Sequence, residues 1–177
     1  MISLINDLLN VSRIEEGRFL YKQELANLED ITSIIIDSSQ ELLKMKKIDF
    51  SYDKPEKPLP QISVDREKME LVVQNLLENA VKYTPEGGKI NITISRDDAN
   101  VIFKIKDTGV GIPDDQHDRI FTKFFRGDNV IRMETEGSGL GLYTTRNIVD
   151  AHKGKIWFDS KEGEGTTFTF TIPIPKI

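Results

Sequence analysis

The chain has 177 residues, 38% of them hydrophobic, and a net charge of −5, which suits one well-cored domain with a short appendage. The negative charge argues against a nucleic-acid binder, because affinity for duplexes comes mainly from clustered Lys and Arg. The absence of cysteine excludes disulfides, thiolate nucleophiles and cysteine-ligated metals, and two histidines argue against structural zinc. No signal-peptide pattern or membrane-length apolar run is evident, so we expect a cytoplasmic domain, with a membrane anchor elsewhere in a parent protein left open.

The first third of the chain predicts an amphipathic helix followed by alternating strands and helices. Residues 1–16 repeat apolar side chains at spacings of three and four, and Gly17 is expected to end this helix. The pattern then predicts a strand over 19–28, a helix over 29–47 and a short strand over 48–52. The predicted buried face of the second helix contains Ile31, Ile34, Ile35 and Leu42. Three prolines predict a loop over 54–60.

The remainder of the chain predicts an α/β class fold. A strand over 62–64 leads to Asp65, a good N-cap for a helix that ends at about Tyr83. A hairpin of strands over 89–95 and 101–106, a helix over 142–152, and strands over 155–160 and 166–172 follow. This order predicts a two-layer α/β sandwich with a mixed sheet of about five strands packed on three helices.

The helix after Asp65 presents a polar face that suits a metal-bound nucleotide. Asn75, Glu78, Asn79 and Lys82 fall within an arc of about 100°, opposite an apolar face. A merely solvated face would more readily use Glu, Lys or Gln, because Asn is a poor helix former. An amide oxygen can ligate Mg²⁺ while lysine meets phosphate charge. The alternative is a solvated helix face.

Two glycine segments are candidate nucleotide-binding loops. The segment DTGVGI at residues 107–112 follows a strand, so its glycines allow a sharp turn that fixes the Asp107 carboxylate, an acceptor for an amine such as that of adenine. The segment GSGLGL at residues 137–142 precedes a helix, whose free N–H groups and partial positive charge favour an anion. An ordinary turn and a flexible hinge are the alternatives for the two segments.

The residues between these segments predict a lid. Residues 113–137 show little strand or helix pattern, and a loop of this length in a compact domain is usually functional or mobile. We expect Phe121 and Phe124 to anchor the loop to the core, and Arg126 beside them to reach a phosphate.

Together these segments resemble, over about residues 19–175, the catalytic ATP-binding domain of sensor histidine kinases. That domain has the Bergerat fold of the wider GHKL family, which includes gyrase, HSP90 and MutL. The segments NLLENAVKYT (75–84), DTGVGI (107–112), FTKFFR (121–126) and GSGLGL (137–142) are similar to the N, G1, F and G2 boxes. The segment GEGTTF (163–168) is similar to the last glycine box.

The resemblance implies that the site binds ATP and Mg²⁺. Asp107 would bind adenine N6, Asn79 would ligate Mg²⁺, and Glu78 would be the general base or would orient the histidine. The implied catalytic residues are Glu78 and Arg126, and the implied nucleotide-binding residues are Asn75, Asn79, Lys82, Tyr83, Asp107, Gly109, Gly111, Ile112, Phe125, Arg126, Gly137, Ser138, Gly139, Leu140, Gly141, Leu142 and Thr166.

The N-terminal helix fits the same resemblance. Residues 4–17 are similar to the end of the second helix of the dimerisation and phosphoacceptor hairpin, whose first helix, with its histidine box, is not in this sequence. His117 and His152 lack that context, and we expect both at the surface. The implied division is residues 1–17 as the helix end and 18–177 as the catalytic domain, with the lid at about 113–137.

The resemblance implies a kinase that transfers the ATP γ-phosphoryl group to a histidine in a separate domain. We therefore expect the chain to bind ATP without phosphorylating itself. Its implied partners are a phosphoacceptor domain and a downstream response regulator, with a homodimeric parent protein. Two alternatives stay open: a GHKL-type ATPase, and a non-catalytic adaptor in which ATP orders the lid.

Overall fold

The computed structural model describes residues 2–16, 21–55, 57–127 and 137–175. In chain order the elements are α1 (Ile2–Glu15), β1 (Glu24–Ala26), α2 (Leu28–Met45), β2 (Asp49–Asp53), β3 (Ile62–Val64), α3 (Arg66–Tyr83), β4 (Lys89–Arg96), β5 (Asn100–Asp107), a 3₁₀ helix (Asp114–Arg119), α4 (Gly141–Ala151), β6 (Lys155–Lys161) and β7 (Gly165–Pro173). No helix within the described ranges is long and apolar enough to cross a membrane.

The main sheet has five strands in the order β2-β4-β5-β7-β6. The β2–β4 pair is parallel and the other pairs are antiparallel, so the sheet is mixed, as predicted. Helix α3 packs between α2 and α4, and the helices form the second layer. The rings of Phe103 and Phe170, on neighbouring strands, stack with 4.9 Å between centroids at the centre of the core. A separate antiparallel pair joins β1 to β3.

Helix α3 is fixed at both ends, and it carries the predicted polar face. Asp65 caps its N-terminus by accepting a hydrogen bond from the backbone N–H of Lys68 at 3.1 Å, as predicted. At the other end, Nζ of Lys46 donates to the carbonyl oxygens of Val81 and Lys82 at 2.6 and 2.7 Å. A lysine that bonds the last carbonyls of a helix also complements the negative end of the helix dipole.

Three predictions about the elements and their packing are wrong. In α2, Ile34 and Leu42 are 46% and 45% exposed, because the buried stripe runs through the polar residue Thr32 instead. Phe124 is 62% exposed and has a φ of +60°, so it does not anchor the loop, whereas Phe121 packs edge-on against Phe158 as predicted. The strand predicted over 19–28 is reduced to the three residues of β1, and its residues 19 and 20 lie outside the described residues.

His152 is not the surface residue that its sequence context suggests, because it is 4% exposed. Its Nε2 accepts a hydrogen bond from the backbone N–H of Asp65 at 2.9 Å, and its Nδ1 donates to the carbonyl of Ile148 at 2.7 Å. A single neutral tautomer satisfies both partners. The ring of Tyr21 packs edge-on against the imidazole at 5.1 Å. His152 therefore connects α4 to the start of α3.

Helix α1 packs against α4 of the main domain. Val11 is 3% exposed and Ile14 packs against the hydrophobic core. Glu15 at the end of α1 forms an ion pair with Lys123, which follows the 3₁₀ helix. Leu8 and Leu9 remain about half exposed. The amphipathic pattern thus buries one face of this helix on the domain.

Candidate functional site

Two adjoining clefts open between α3, the segment that contains the 3₁₀ helix, and the start of α4. The inner cleft is mainly apolar and the outer cleft is mainly polar. The side chains that line both clefts are Asn79, Tyr83, Ile120, Phe125, Arg126 and Leu142. The inner cleft is completed by Ala80, Asp107, Gly111, Ile112, Gln116, Gly127, Thr166 and Phe168. A single elongated ligand with an apolar planar part and a charged part would fit this arrangement.

Asp107 is the acidic group of the inner cleft. It ends β5, is 6% exposed, and accepts hydrogen bonds on Oδ1 from the backbone N–H groups of Gly109 at 2.8 Å and Thr166 at 3.2 Å. Both bonds go to Oδ1, which leaves Oδ2 to accept a hydrogen bond from a bound group. Burial raises the pKa of Asp107 to about 6, and the two hydrogen bonds oppose this rise. The carboxylate is thus suited to accept from a polar group that enters an apolar cleft.

Glycines allow the backbone to close around Asp107. Gly165 has a φ of +108°, and a Cβ at this position would lie 2.1 Å from the carbonyl oxygen of Asp107. A Cβ at Gly109 would lie 2.6 Å from the carbonyl oxygen of Tyr83. Gly111 has a φ of +67° and lies against the backbone of Lys161. Side chains at these three positions would displace the strand ends that hold the carboxylate.

Ser160 fastens the loop that follows Asp107 to β6 and β7. Its hydroxyl accepts a hydrogen bond from the backbone N–H of Ile112 at 2.9 Å and lies 2.8 Å from the hydroxyl of Thr166. The backbone N–H of Gly163 also donates to Val110 in this loop at 2.7 Å. The floor of the inner cleft is therefore held by strands of the sheet.

The outer cleft brings two cations to a glycine-rich helix start. A Cβ at Gly137, which has a φ of +146°, would lie 2.9 Å from Nζ of Lys82 and 3.9 Å from Nε of Arg126. Helix α4 begins at Gly141 without a side-chain cap, so its first N–H groups face this region. Backbone N–H groups at a helix start and nearby cations make a site for phosphates.

The polar face of α3 forms one wall of the outer cleft. Asn75, Glu78, Asn79 and Lys82 all line it, as the arc on the helix predicts. Asn75 donates from Nδ2 to the carbonyl of Gly141 and to the hydroxyl of Thr145, both at 3.3 Å. Its amide therefore joins α3 to α4 and keeps Oδ1 as an acceptor. Glu78 is exposed and accepts from Gln74 at 2.7 Å.

These residues fit a magnesium ion that arrives with a nucleotide. Among the described residues there is no group of three or more His, Cys, Asp or Glu side chains that would hold a metal ion without help. Mg²⁺ keeps several waters and is often bound through only one or two protein oxygens together with substrate phosphates. Asn79 lies where the two clefts meet and supplies such an oxygen.

The structure brings most of the predicted site residues to the two clefts. Gly109 lies beneath Asp107, and the side chain of Leu140 is fully buried, so these two do not line the clefts. Sequence reasoning missed Ala80, Gln116, Ile120, Gly127 and Phe168. Ala80 could have been identified from the sequence, because it directly follows Asn79. Gln116 could not, because it lies in a polar stretch without periodicity.

Comparisons with known proteins identify the family of the chain. The sequence profile described as "Histidine kinase-, DNA gyrase B-, and HSP90-like ATPase" matches residues 64–176. The sensor histidine kinase WalK of Bacillus subtilis is 36% identical over 175 residues, which cover 98% of this chain and 28% of WalK. The chain thus spans less than a third of the length of that curated relative.

Solved structures show the same fold. The catalytic domain of histidine kinase ThkA superposes with a TM-score of 0.75 at 30% identity, covering 86% of this chain and 98% of that one. Full-length ShkA in complex with AMPPNP superposes with a TM-score of 0.84 at 28% identity, covering 99% of this chain and 36% of that one. The chain therefore belongs to the family of histidine kinase-, DNA gyrase B- and HSP90-like ATPases, and its main domain is an ATP-binding domain of the histidine kinase type.

Proposed function

We propose that this chain is the catalytic part of a sensor histidine kinase and transfers the γ-phosphoryl group of Mg·ATP to a histidine in another domain. The observation that carries the proposal is the union of the two clefts: Asp107 lies in the apolar one, while Lys82, Arg126 and the start of α4 lie around the polar one. Adenine would occupy the first cleft and the phosphates the second. A domain that consumes ATP acts where ATP is abundant, so we place it in the cytoplasm.

Each residue has a proposed task in this reaction. Asp107 accepts a hydrogen bond from adenine N6, and Tyr83, Ile112 and Thr166 surround the base. Lys82 and Arg126 hold the phosphates, together with the backbone of residues 137–142. Asn79 would hold Mg²⁺, which would supply positive charge that offsets the charge of the phosphates. Glycines at 109, 111, 137, 139 and 141 let the backbone approach the ligand or its loops.

The transfer itself needs positioning more than covalent chemistry by the protein. A lone pair on an imidazole nitrogen attacks the γ-phosphorus, an N–P bond forms, and the bond to the bridging oxygen breaks as ADP leaves. Glu78, exposed on the wall of the outer cleft, orients the imidazole or accepts its proton. Arg126 stabilises charge on the transferring group.

The same proposal assigns the other parts of the chain. Residues 1–17 are the end of a dimerisation helix, and α1 packs on the main domain through Val11 and Ile14. Residues 113–137 are the proposed lid, and residues 128–136 of this segment lie outside the described residues. The phosphoacceptor domain, a response regulator and a second copy of the parent protein are the proposed partners.

The test is a titration of labelled ATP followed by addition of an intact phosphoacceptor domain. We expect the chain to bind Mg·ATP, to gain no acid-labile phosphate alone, and to phosphorylate the added domain. Asp107→Asn should weaken ATP binding at least about tenfold, because it removes a charge-assisted hydrogen bond. Asn79→Ala should weaken binding only when Mg²⁺ is present. Asp98→Asn, at the exposed end of the same hairpin, is the matched control.

Two results would contradict the proposal. Acid-labile phosphate on the chain alone would show that a histidine of this chain is the acceptor. Steady release of phosphate without any phosphoacceptor would instead assign the domain to the ATPases of the same family.

A further inference from the structure

The inner cleft contains a buried polar side chain to which neither the sequence motifs nor the proposed reaction assigns a role. Gln116 lies in the 3₁₀ helix and is 6% exposed, although Asp114, Asp115, Asp118 and Arg119 around it are exposed. Its carbonyl oxygen Oε1 is buried and has no hydrogen-bond partner within the described residues. A buried polar atom without a partner destabilises the fold, so this arrangement needs a reason.

The position of Gln116 is fixed by its neighbours. Its backbone N–H donates to the carbonyl of Pro113 at 3.0 Å. The next residue, His117, packs edge-on against Phe158 of β6 at 4.9 Å, and its Nε2 lies 3.0 Å from the carbonyl oxygen of Ile112. The 3₁₀ helix is thus attached both to the sheet and to the loop after Asp107. This attachment directs Gln116 to the cleft wall.

The surroundings of Gln116 identify what can satisfy it. It shares the cleft with the carboxylate of Asp107 and with the apolar side chains of Ile112, Ile120 and Phe168. A ligand with polar atoms on a flat apolar body would match both kinds of lining. A glutamine amide offers a donor beside an acceptor, which is the pattern that adenine presents at its amine and an adjacent ring nitrogen.

We propose that Gln116 is a base-specificity residue whose amide forms hydrogen bonds to the edge of the adenine ring. This inference rests on the ATP site proposed above and adds a second reader of the base to Asp107. A rotation of the side-chain amide toward the cleft would let Oε1 accept from the exocyclic amine and Nε2 donate to the ring nitrogen next to it. Binding of the base then supplies the partner that Oε1 lacks in the nucleotide-free protein.

The experiment compares the complete chain with Gln116→Leu, which keeps the size of the side chain and removes its amide. We expect ATP affinity to fall about tenfold, the equivalent of about one to one and a half kcal/mol for a lost hydrogen bond. In contrast, the midpoint of thermal unfolding without nucleotide should be equal or higher, because the buried unpaired oxygen is gone. Gln61→Leu, at an exposed glutamine, is the matched control and should change neither quantity.

Analogues of ATP that lack one ring nitrogen identify the contact. One of two analogues, 7-deaza-ATP or 1-deaza-ATP, lacks the nitrogen that Gln116 contacts. Gln116→Leu should reduce the affinity for that analogue less than it reduces the affinity for ATP. If Gln116→Leu reduced the affinity for ATP and for both analogues equally, or did not reduce the affinity for ATP, the inference would be overturned while the proposed function stayed intact. A wild-type chain that binds no ATP would overturn both.

Discussion

The ionisation of Asp107 couples stability to function in a measurable way. Its ordinary pKa of 3.8 rises to about 6 in the nucleotide-free fold, mainly because burial disfavours the charged form. A raised carboxyl pKa means that the folded chain holds this proton more tightly than the unfolded chain does. The stability that this group contributes is therefore complete below pH 3.8 and is lost as the pH rises through about 6.

The magnitude follows from the difference between the two pKa values. A change from 3.8 to about 6 corresponds to about 3 kcal/mol of unfolding free energy above pH 7. Because Asp107 is only 6% exposed, solvent screens little of this cost. Asparagine at the same position cannot ionise, yet its side-chain oxygen can still accept from the N–H groups of Gly109 and Thr166.

Asp107→Asn should therefore stabilise the nucleotide-free chain at neutral pH while weakening nucleotide binding. We expect the variant to exceed the wild type by up to about 3 kcal/mol at about pH 8 and to match it at about pH 4. The assay is chemical denaturation across this range, read by circular dichroism, with Asp98→Asn as the exposed control. The pairwise difference between variant and wild type removes the contributions of other titrating groups.

The reasoning would be refuted by either of two results. A difference between variant and wild type that does not change with pH would show that ionisation of Asp107 is not its source. A wild type more stable than the variant at about pH 8 would show that the hydrogen bonds of Gly109 and Thr166 outweigh burial.

Three further outcomes follow from the same structure. The ATP affinity of the wild type should fall as the pH drops through about 6, because a protonated Asp107 is a weaker hydrogen-bond acceptor than the carboxylate. Titrations of Asp107→Asn should show no such fall. Gly165→Ala should lower the unfolding free energy by about 3 kcal/mol or more, because Gly165 has a φ of +108° and the new Cβ would lie 2.1 Å from a backbone oxygen. The control Gly163→Ala should lower the unfolding free energy by about 1 kcal/mol, because there is open space around Gly163. His152→Ala should cost about 2–4 kcal/mol in denaturation, because it removes a buried ring and leaves the N–H of Asp65 without its partner, whereas the carbonyl of Ile148 keeps the backbone N–H of residue 152. A loss below about 1 kcal/mol would contradict the buried placement.

Local signals explain how much of the fold was predictable from the sequence. The cap at Asp65 and the polar and apolar faces of α3 depend on residues within a few positions of one another, so spacing alone identifies them. The β4–β5 hairpin is likewise a local unit, whose turn is closed by hydrogen bonds from Ala99 and Asn100 to Asp97. The placement of the glycine segment at the start of α4 was predictable for the same reason, and its role in phosphate binding stays a prediction.

Distant partners explain what the sequence could not predict. His152 is buried because its ring meets the backbone of Asp65, which is 87 positions away. The buried stripe of α2 includes Thr32 and leaves Ile34 and Leu42 exposed, because the packing of the helix on α3 selects which of its faces is covered. Gln116 was missed because the 3₁₀ helix of polar residues has no periodicity that would indicate which side chain turns inward.

The end of α3 connects the two halves of the site. The carbonyl of Tyr83 accepts from the N–H of Val110 at 3.2 Å, which ties the adenine loop to the helix, and Val110 in turn accepts from Gly163. Lys46 donates hydrogen bonds to two carbonyls of the same last turn, from which Lys82 extends toward Gly137. A displacement of this turn would move the base-binding loop and the phosphate-binding lysine together. In the proposed ATP site, base recognition and phosphate alignment would therefore both depend on this one junction at the end of α3.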